Sequence, residues 1–116
     1  GLPASESLLS MDAGHIFEQW VMTELYYRCL YLGRGFGLST WRTRAGAEVD
    51  IIVETPDELI PVEIKWSDRP RPTDGRHVEK FISLHEDRSH RGFVVCRAPQ
   101  RQQLSARVTA LPWDEL

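Results

Sequence analysis

The residues whose types and spacing could do chemistry are Asp50, Glu63 and Lys65, two carboxylates and an amine in the middle of the chain. Two short runs carry them, residues 47–54 and residues 59–66. Apolar and polar residues alternate within each run, which predicts two strands with one buried and one exposed face each. The three side chains are therefore expected to lie close together on a β-hairpin.

The register of this hairpin follows from the turn between the two runs, residues 55–58. If the turn closes with Glu54 opposite Leu59, counting inward places Asp50 opposite Glu63. Side chains directly opposed on antiparallel strands have Cβ atoms about 4.5–5.5 Å apart, so two carboxylates there repel each other unless a cation lies between them. Because carboxylate oxygens suit Mg²⁺ and Mn²⁺, the pattern predicts a divalent metal site with a chemical task.

Each of these residues also has a purely structural interpretation. A single carboxylate on the exposed face of a hairpin is ordinarily solvated. The same register places Lys65 opposite Glu48, where a cross-strand salt bridge would contribute about 0.2–1 kcal/mol. The two roles of the lysine are compatible, because Glu48 could orient Lys65 toward a phosphate.

The other elements are predicted from hydrophobic periodicity and from turn residues. The predicted helices and strands are, in chain order, residues 14–32, 38–43, 47–54, 59–66, 75–86, 92–97 and 107–111. Asp12 is expected to cap the first helix and Gly33 to end it. Residues 100–103 are expected to form a loop, and a last helix would start near Pro112.

This order of elements predicts an α/β fold. Three strands in succession, followed by a helix and further strands, favour a mixed sheet in which an antiparallel meander and crossover strands are flanked by helices. Residues 1–12 are expected to be a polar lead-in, and residues 13–116 a single domain. Because the first residue is not Met, we expect the chain to be part of a larger one.

Composition excludes several classes of protein. The net charge of −3 argues against a protein that coats nucleic acid by bulk charge. No apolar run approaches the roughly 20 residues that cross a membrane, and no signal peptide is visible. Two cysteines, Cys29 and Cys96, form neither a disulfide framework nor a metal-binding spacing, which favours a reducing, cytoplasmic setting.

The chain resembles the PD-(D/E)XK nuclease superfamily. Asp50 matches the family's first acidic position, Glu63-Ile64-Lys65 matches its E-x-K element, and Glu18 matches a glutamate on its first helix. The resemblance is strongest to the domain of unknown function at the C-terminus of prokaryotic P-loop AAA+-type ATPases. The matching segments are Gly14, Phe17-Glu18, Trp41-Arg42, Glu48-Val49-Asp50, Pro61-Val62-Glu63-Ile64-Lys65 and Leu111-Pro112-Trp113. In one departure, Val49 replaces the proline that names the superfamily.

The resemblance implies a restriction-endonuclease-like core and Mg²⁺- or Mn²⁺-dependent hydrolysis of phosphodiester bonds in nucleic acid, with DNA as the expected substrate. Asp50, Glu63 and the backbone carbonyl of Ile64 would hold the metal. Glu18 would extend this set, directly or through water, or would be an ordinary exposed carboxylate. Lys65 would hold the attacking water or stabilise charge on the phosphate.

Basic side chains near the hairpin are the candidates for contact with a nucleic-acid backbone. Arginines flank the hairpin, namely Arg42 and Arg44 before it and Arg69, Arg71 and Arg76 after it. The candidates for phosphate contact are Arg42, Arg44, His77 and Lys80, although ordinary surface charge explains them equally well. Trp41 and Trp66 are expected to pack at the core or its rim rather than to stack on bases.

Two further interpretations remain open for the whole chain. It could be a non-catalytic docking or oligomerisation module of a larger ATPase, or it could bind nucleic acid without cleaving it. In each case the partner would include an upstream ATPase domain, no membrane partner is expected, and a homo-oligomer is left open. The joint presence of Asp50, Glu63 and Lys65 favours catalysis, since a docking module does not need them, whereas the net negative charge favours docking.

Overall fold

The computed structural model of the chain describes the backbone of residues 2–116 and the side chains of residues 12–116. Its helices and strands are α1 (Leu2–Leu32), β1 (Gly37–Arg42), β2 (Glu48–Glu54), β3 (Leu59–Ile64), α2 (Arg76–Leu84), β4 (Gly92–Cys96), β5 (Gln102–Gln103) and β6 (Val108–Pro112). Short 3₁₀ helices lie at Pro72–Gly75 and Trp113–Glu115. Within the described part of the chain, no helix is long and apolar enough to cross a membrane.

The six strands form one mixed sheet in the order β1-β2-β3-β4-β6-β5. The first three strands are an antiparallel meander, whereas β3, β4 and β6 run parallel and β5 pairs antiparallel with β6. The α2 helix lies in the connection between β3 and β4, as a parallel pair requires. The predicted α/β class and mixed sheet are therefore confirmed.

Helices cover both faces of the sheet. On one face, Phe17 and Val21 of α1 pack on strand residues of β2, β3, β4 and β6. On the other face, Val78 and Ile82 of α2 pack on β4 and β6. The helical spacing of Val78, Phe81 and Ile82 explains why α2 forms with one buried side. The sheet is thus buried on both faces where parallel strands cross its centre.

The ends of some elements differ from the predictions. The first helix ends at Gly33, as expected, where a φ of +89° suits glycine. It begins at Leu2 rather than at Gly14, so the predicted lead-in is helical from residue 2 and Asp12 lies inside the helix instead of capping it. The predicted loop at residues 100–103 contains the short edge strand β5, which is too brief to show periodicity.

The crossing of α2 over β4 requires a glycine at position 92. A Cβ atom added to Gly92 would lie 2.3 Å from Cγ1 of Val78 and 2.9 Å from the backbone oxygen of Pro61. Neither neighbour can withdraw easily, because Val78 is fully buried and the oxygen belongs to β3. The helix and the strand therefore approach each other more closely than any side chain at this position would allow.

We predict that Gly92→Ala destabilises the protein by about 2 kcal/mol, the typical cost of overpacking a core. Gly14→Ala is the matched control, because its added Cβ would lie 3.7 Å from Cβ of Trp66 and it removes a glycine from a helix. The control should stabilise by about 0.5–1 kcal/mol. Free energies of unfolding from urea titrations test both values. Equal stability of the two variants would refute the close approach at Gly92.

Candidate active site

The candidate site lies where β2 and β3 separate. Their ladder runs from the predicted pair of Glu54 and Leu59 to the pair of Ile51 and Val62, and it stops there. Beyond that point the backbone N–H of Ile64 donates a hydrogen bond to Oδ2 of Asp50, at 2.8 Å. A side-chain carboxylate thus replaces a backbone carbonyl as the acceptor at the open end of the hairpin.

A β-bulge sets the position of Asp50. Two residues of β2, Asp50 and Ile51, lie opposite the single residue Thr40 of β1. A bulge of this kind bends the strand and redirects its side chains. As a result, Val49 and Ile52 pack in the same core cluster although they are three residues apart. The alternation of buried and exposed residues predicted for β2 therefore fails at Asp50, the candidate metal-binding residue.

Glu63 is a buried carboxyl, with only 8% of its surface exposed. Burial raises its pKa to about 9, and the adjoining Asp50 side chain adds to the rise as a hydrogen-bonding partner and as a like charge. The charge of Lys65 acts in the opposite direction but does not compensate. Without a bound cation, Glu63 therefore keeps its proton at neutral pH.

The two carboxylates open onto different clefts. Asp50 lines a cleft of about 310 Å³ together with Glu18 of α1. Glu63 and Lys65 line a polar pocket of about 230 Å³ together with residues that precede and begin α2. Asp50 and Glu63, whose side chains are in contact, thus lie between two openings.

The structural alternative for Lys65, a salt bridge to Glu48, does not form. Glu48 pairs instead with Arg42, whose Nε lies 3.1 Å from Oε2 of Glu48. The register explains this outcome, because Arg42 and Glu48 are directly opposed on β1 and β2, whereas β2 and β3 have already separated. Lys65 forms no salt bridge within the part of the chain that the structure describes, which leaves its amine available to a ligand.

Two of the four predicted phosphate-binding residues, Arg42 and His77, line the openings beside the carboxyl groups. Arg42 lines the cleft that holds Asp50, and His77 lines the pocket that holds Glu63. Nδ1 of His77 lies 3.2 Å from the backbone oxygen of Glu48, which holds the ring beside β2. Arg44 and Lys80 are exposed and line neither cleft.

Sequence reasoning missed the residues that complete the polar pocket. These are Arg71, Thr73, Asp74 and Arg76. Asp74 accepts a hydrogen bond from the backbone N–H of Arg71, at 2.8 Å, and this bond organises the 3₁₀ helix before α2. The arginines that follow the hairpin indicate a basic segment in the sequence. The prolines among them predict irregular structure, so the short 3₁₀ helix that brings Arg71 and Arg76 to the pocket of Glu63 was not expected.

The donor set suits a divalent cation only in part. Asp50 and Glu63 supply adjoining carboxylate oxygens, the ligands that Mg²⁺ and Mn²⁺ prefer. The N–H and C=O of a strand residue point to the same edge, so the carbonyl of Ile64 also faces the gap beside Asp50. Among the described side chains, however, no three His, Cys, Asp or Glu residues form a group that could hold a metal, and Glu18 as a ligand stays a prediction.

We predict that removing the Glu63 carboxyl flattens the dependence of stability on pH. In EDTA the native protein keeps a proton that the unfolded chain, with the usual pKa of 4.5, releases, so stability should fall as the pH rises from 4.5 to about 9. The melting temperature of Glu63→Gln should fall by several degrees less over this range. Glu54→Gln, which alters an exposed carboxylate of the same hairpin, should follow the wild type. Parallel curves for all three proteins would contradict the raised pKa.

Comparison with known proteins supplies a family for this arrangement. The chain matches no curated protein and no solved structure. One family model, described as a domain of unknown function, matches residues 13–116. The matched range includes both carboxylates, Lys65 and the whole sheet, and it covers most of the chain. The chain therefore belongs to the family described as Domain of unknown function (DUF4143).

Proposed function

We propose that this protein hydrolyses phosphodiester bonds of nucleic acid, with Mg²⁺ or Mn²⁺ as its cofactor. The observation that carries the proposal is the contact of Asp50 with a buried Glu63 beside Lys65. Burial of one carboxyl group against another costs stability, and such a cost is typical of sites that bind a ligand. DNA is the nucleic acid that we expect.

The proposed roles follow from the positions of the side chains. Asp50 and Glu63, with the carbonyl of Ile64, would hold the cation, which supplies charge stabilisation and a more acidic bound water. The amine of Lys65 lines the pocket beside Glu63 and would stabilise the charge that develops on the phosphate. Water adds to phosphorus as the ester P–O bond breaks, so one product ends in a phosphate and the other in a hydroxyl.

The polar pocket beside Glu63 would hold the substrate phosphate. Arg71, Arg76 and His77 line it, and they face the same space as Lys65. Guanidinium groups bind phosphate oxygens through two parallel hydrogen bonds, which fixes orientation as well as affinity. These residues thus add local positive charge to a protein whose net charge is −3.

The order of the elements and the position of the E-x-K element also support our proposal that the chain is a member of the PD-(D/E)XK superfamily. The meander, the helical crossover and the following parallel strand occur in the expected order. The E-x-K element lies at the end of β3, next to the carboxylate of the preceding strand. The likeness to C-terminal domains of P-loop ATPases makes an ATPase domain in the same chain part of the proposal.

A docking module is the second candidate function, because α1 exposes large apolar side chains. Tyr27, Leu30 and Tyr31 lie on its surface, and Tyr31 is 91% exposed. Soluble monomers seldom expose such a contiguous apolar patch without a partner. Docking through this part of α1 and catalysis at Glu63 are compatible, since the two surfaces share no residue.

We predict that Asp50→Asn and Lys65→Ala each lower nucleic-acid cleavage about a hundredfold or more, the usual effect of removing one electrostatic group from an active site. Cleavage of labelled single- and double-stranded DNA and RNA, with Mg²⁺ or Mn²⁺, provides the measurement. Glu54→Gln serves as the control, because its carboxylate is exposed and lies at the turn end of the hairpin, away from the contact of Asp50 with Glu63. Cleavage that survives in both site variants, or a wild type that neither cleaves nor binds metal, would refute the proposed function.

We also predict that Arg76→Ala raises KM for an oligonucleotide about tenfold, because a charge-assisted hydrogen bond to phosphate contributes about 1.5–3 kcal/mol. Arg34→Ala removes the same charge from an exposed loop outside the pocket and should change KM less than twofold. Steady-state kinetics at two salt concentrations separate the local contact from bulk attraction. Equal effects of the two variants would show that the pocket does not bind phosphate.

A further inference from the structure

An aromatic groove of about 520 Å³ lies on the α1 side of the sheet. Trp20, Trp66 and Trp113 line it, each with 40–42% of its surface exposed, together with Ile16. Trp20 and Trp113 meet edge to face, with ring centroids 5.3 Å apart. Arg97 is the only charged residue among those that line the groove. Three tryptophans that each leave so much of the indole exposed are uncommon on a surface that serves packing alone.

The groove lies at the same edge of the sheet as the candidate active site. Arg97 and Trp113 directly follow the carboxyl ends of the parallel strands β4 and β6, and Trp66 lies two residues after the end of β3. In open α/β sheets, ligands bind outside the carboxyl ends of the strands. Lys65, which lines the polar pocket, is the residue immediately before Trp66. A chain-like ligand that leaves the pocket around this edge would therefore enter the groove.

The guanidinium group of Arg97 lies over an indole ring. Its guanidinium carbon lies 3.9 Å from the ring centroid of Trp66, and its Nε and Nη2 donate hydrogen bonds of 3.2 and 3.0 Å to the backbone oxygen of Trp66. It forms no salt bridge with any carboxylate in the described residues. A fixed, uncompensated guanidinium plane beside indoles suits a ligand that combines flat rings with negative charge.

We propose that this groove binds the unpaired bases of single-stranded nucleic acid, whose backbone lies in the adjoining phosphate pocket. This inference rests on the proposed function, because it names the substrate class of the same site. Bases of a single strand can turn outward and stack on Trp20, Trp66 or Trp113, whereas those of a duplex are already stacked and paired. Trp66 packs against Phe17 with ring centroids 5.1 Å apart, and the proposal adds a role on the ligand surface to the expected packing at the rim.

A protein helix would be the other occupant of an apolar groove, and two observations favour nucleic acid. Lys65, which lines the pocket with Arg71 and Arg76, directly precedes Trp66 of the groove, so basic side chains lie close to the groove along the chain. The single charge inside the groove is also positive. The exposed apolar residues of α1 near Tyr27 and Tyr31 belong to a separate surface, which remains available to a protein partner.

Binding of fluorescein-labelled oligothymidylate of 20 nucleotides, in EDTA so that no cleavage occurs, tests the proposal by anisotropy. The wild type should bind this strand at least about tenfold more tightly than a duplex of equal length. Ile16→Glu, at a position 60% exposed, and Trp113→Ala should each weaken binding of the strand about tenfold, the loss expected for one stacked base. Circular dichroism checks that both variants fold. If Trp113→Ala does not fold, the surface variant Ile16→Glu tests the proposal by itself.

Tyr27→Glu is the matched control. It adds the same charge to the same helix, at a position 63% exposed and about 16 Å further along it, outside the groove. Its affinity for the strand should change less than twofold. Equal losses in Tyr27→Glu and Ile16→Glu would overturn the proposal, as would equal affinity of the wild type for strand and duplex. A change of molecular mass in Ile16→Glu, with unaltered strand affinity, would assign the groove to a protein contact instead.

The cleavage assay with Mg²⁺ or Mn²⁺ separates failure of this inference from failure of the proposed function. Cleavage that depends on Asp50 but is unaffected by Ile16→Glu and Trp113→Ala would overturn the role of the groove alone. Groove-dependent binding of the strand, without cleavage under any metal condition, would overturn the proposed hydrolysis and support the groove.

Discussion

The contact of Asp50 with the buried Glu63, where β2 and β3 separate, is the arrangement that the rest of the protein has to support. The N–H of Ile64 holds Asp50 in the gap, and burial keeps Glu63 protonated when no cation is present. Such a contact lowers stability, so it depends on apolar packing elsewhere. The two helices supply that packing by covering opposite faces of the sheet.

The contact between Asp50 and Glu63 also divides the proposed ligand surface into two parts. On the α2 side, the pocket beside Glu63 is polar and basic, whereas on the α1 side the groove beside Trp66 is aromatic. Both features lie at the carboxyl edge of the parallel strands. A nucleic acid presents charge on its backbone and flat apolar surface on its bases, so the two sides of the edge match the two parts of one ligand.

Hydrophobic periodicity was sufficient to predict five of the six strands and the presence of both helices, because these elements bury apolar residues at a recurring spacing. Periodicity could not reveal the bulge at Asp50. One extra residue in β2 shifts the pairing of β2 with β1 by one position, and no residue type in the strand marks this shift. Asp50, Glu63 and Lys65 were identified from residue type and spacing. Arg71 and Arg76 were not, because their approach to Glu63 depends on a 3₁₀ helix that proline-rich sequence conceals.

The two ends of the β2–β3 hairpin are closed by different kinds of group. At the turn, the hydroxyl and backbone of Thr55 bond to Glu58, and these groups do not titrate near neutral pH. At the open end, the acceptor for the N–H of Ile64 is Asp50, a group that can also bind a ligand. If a cation binds Asp50 as proposed, opening of this end would be coupled to that binding, and the exchange rate of the Ile64 amide hydrogen would report occupancy without any change in the fold.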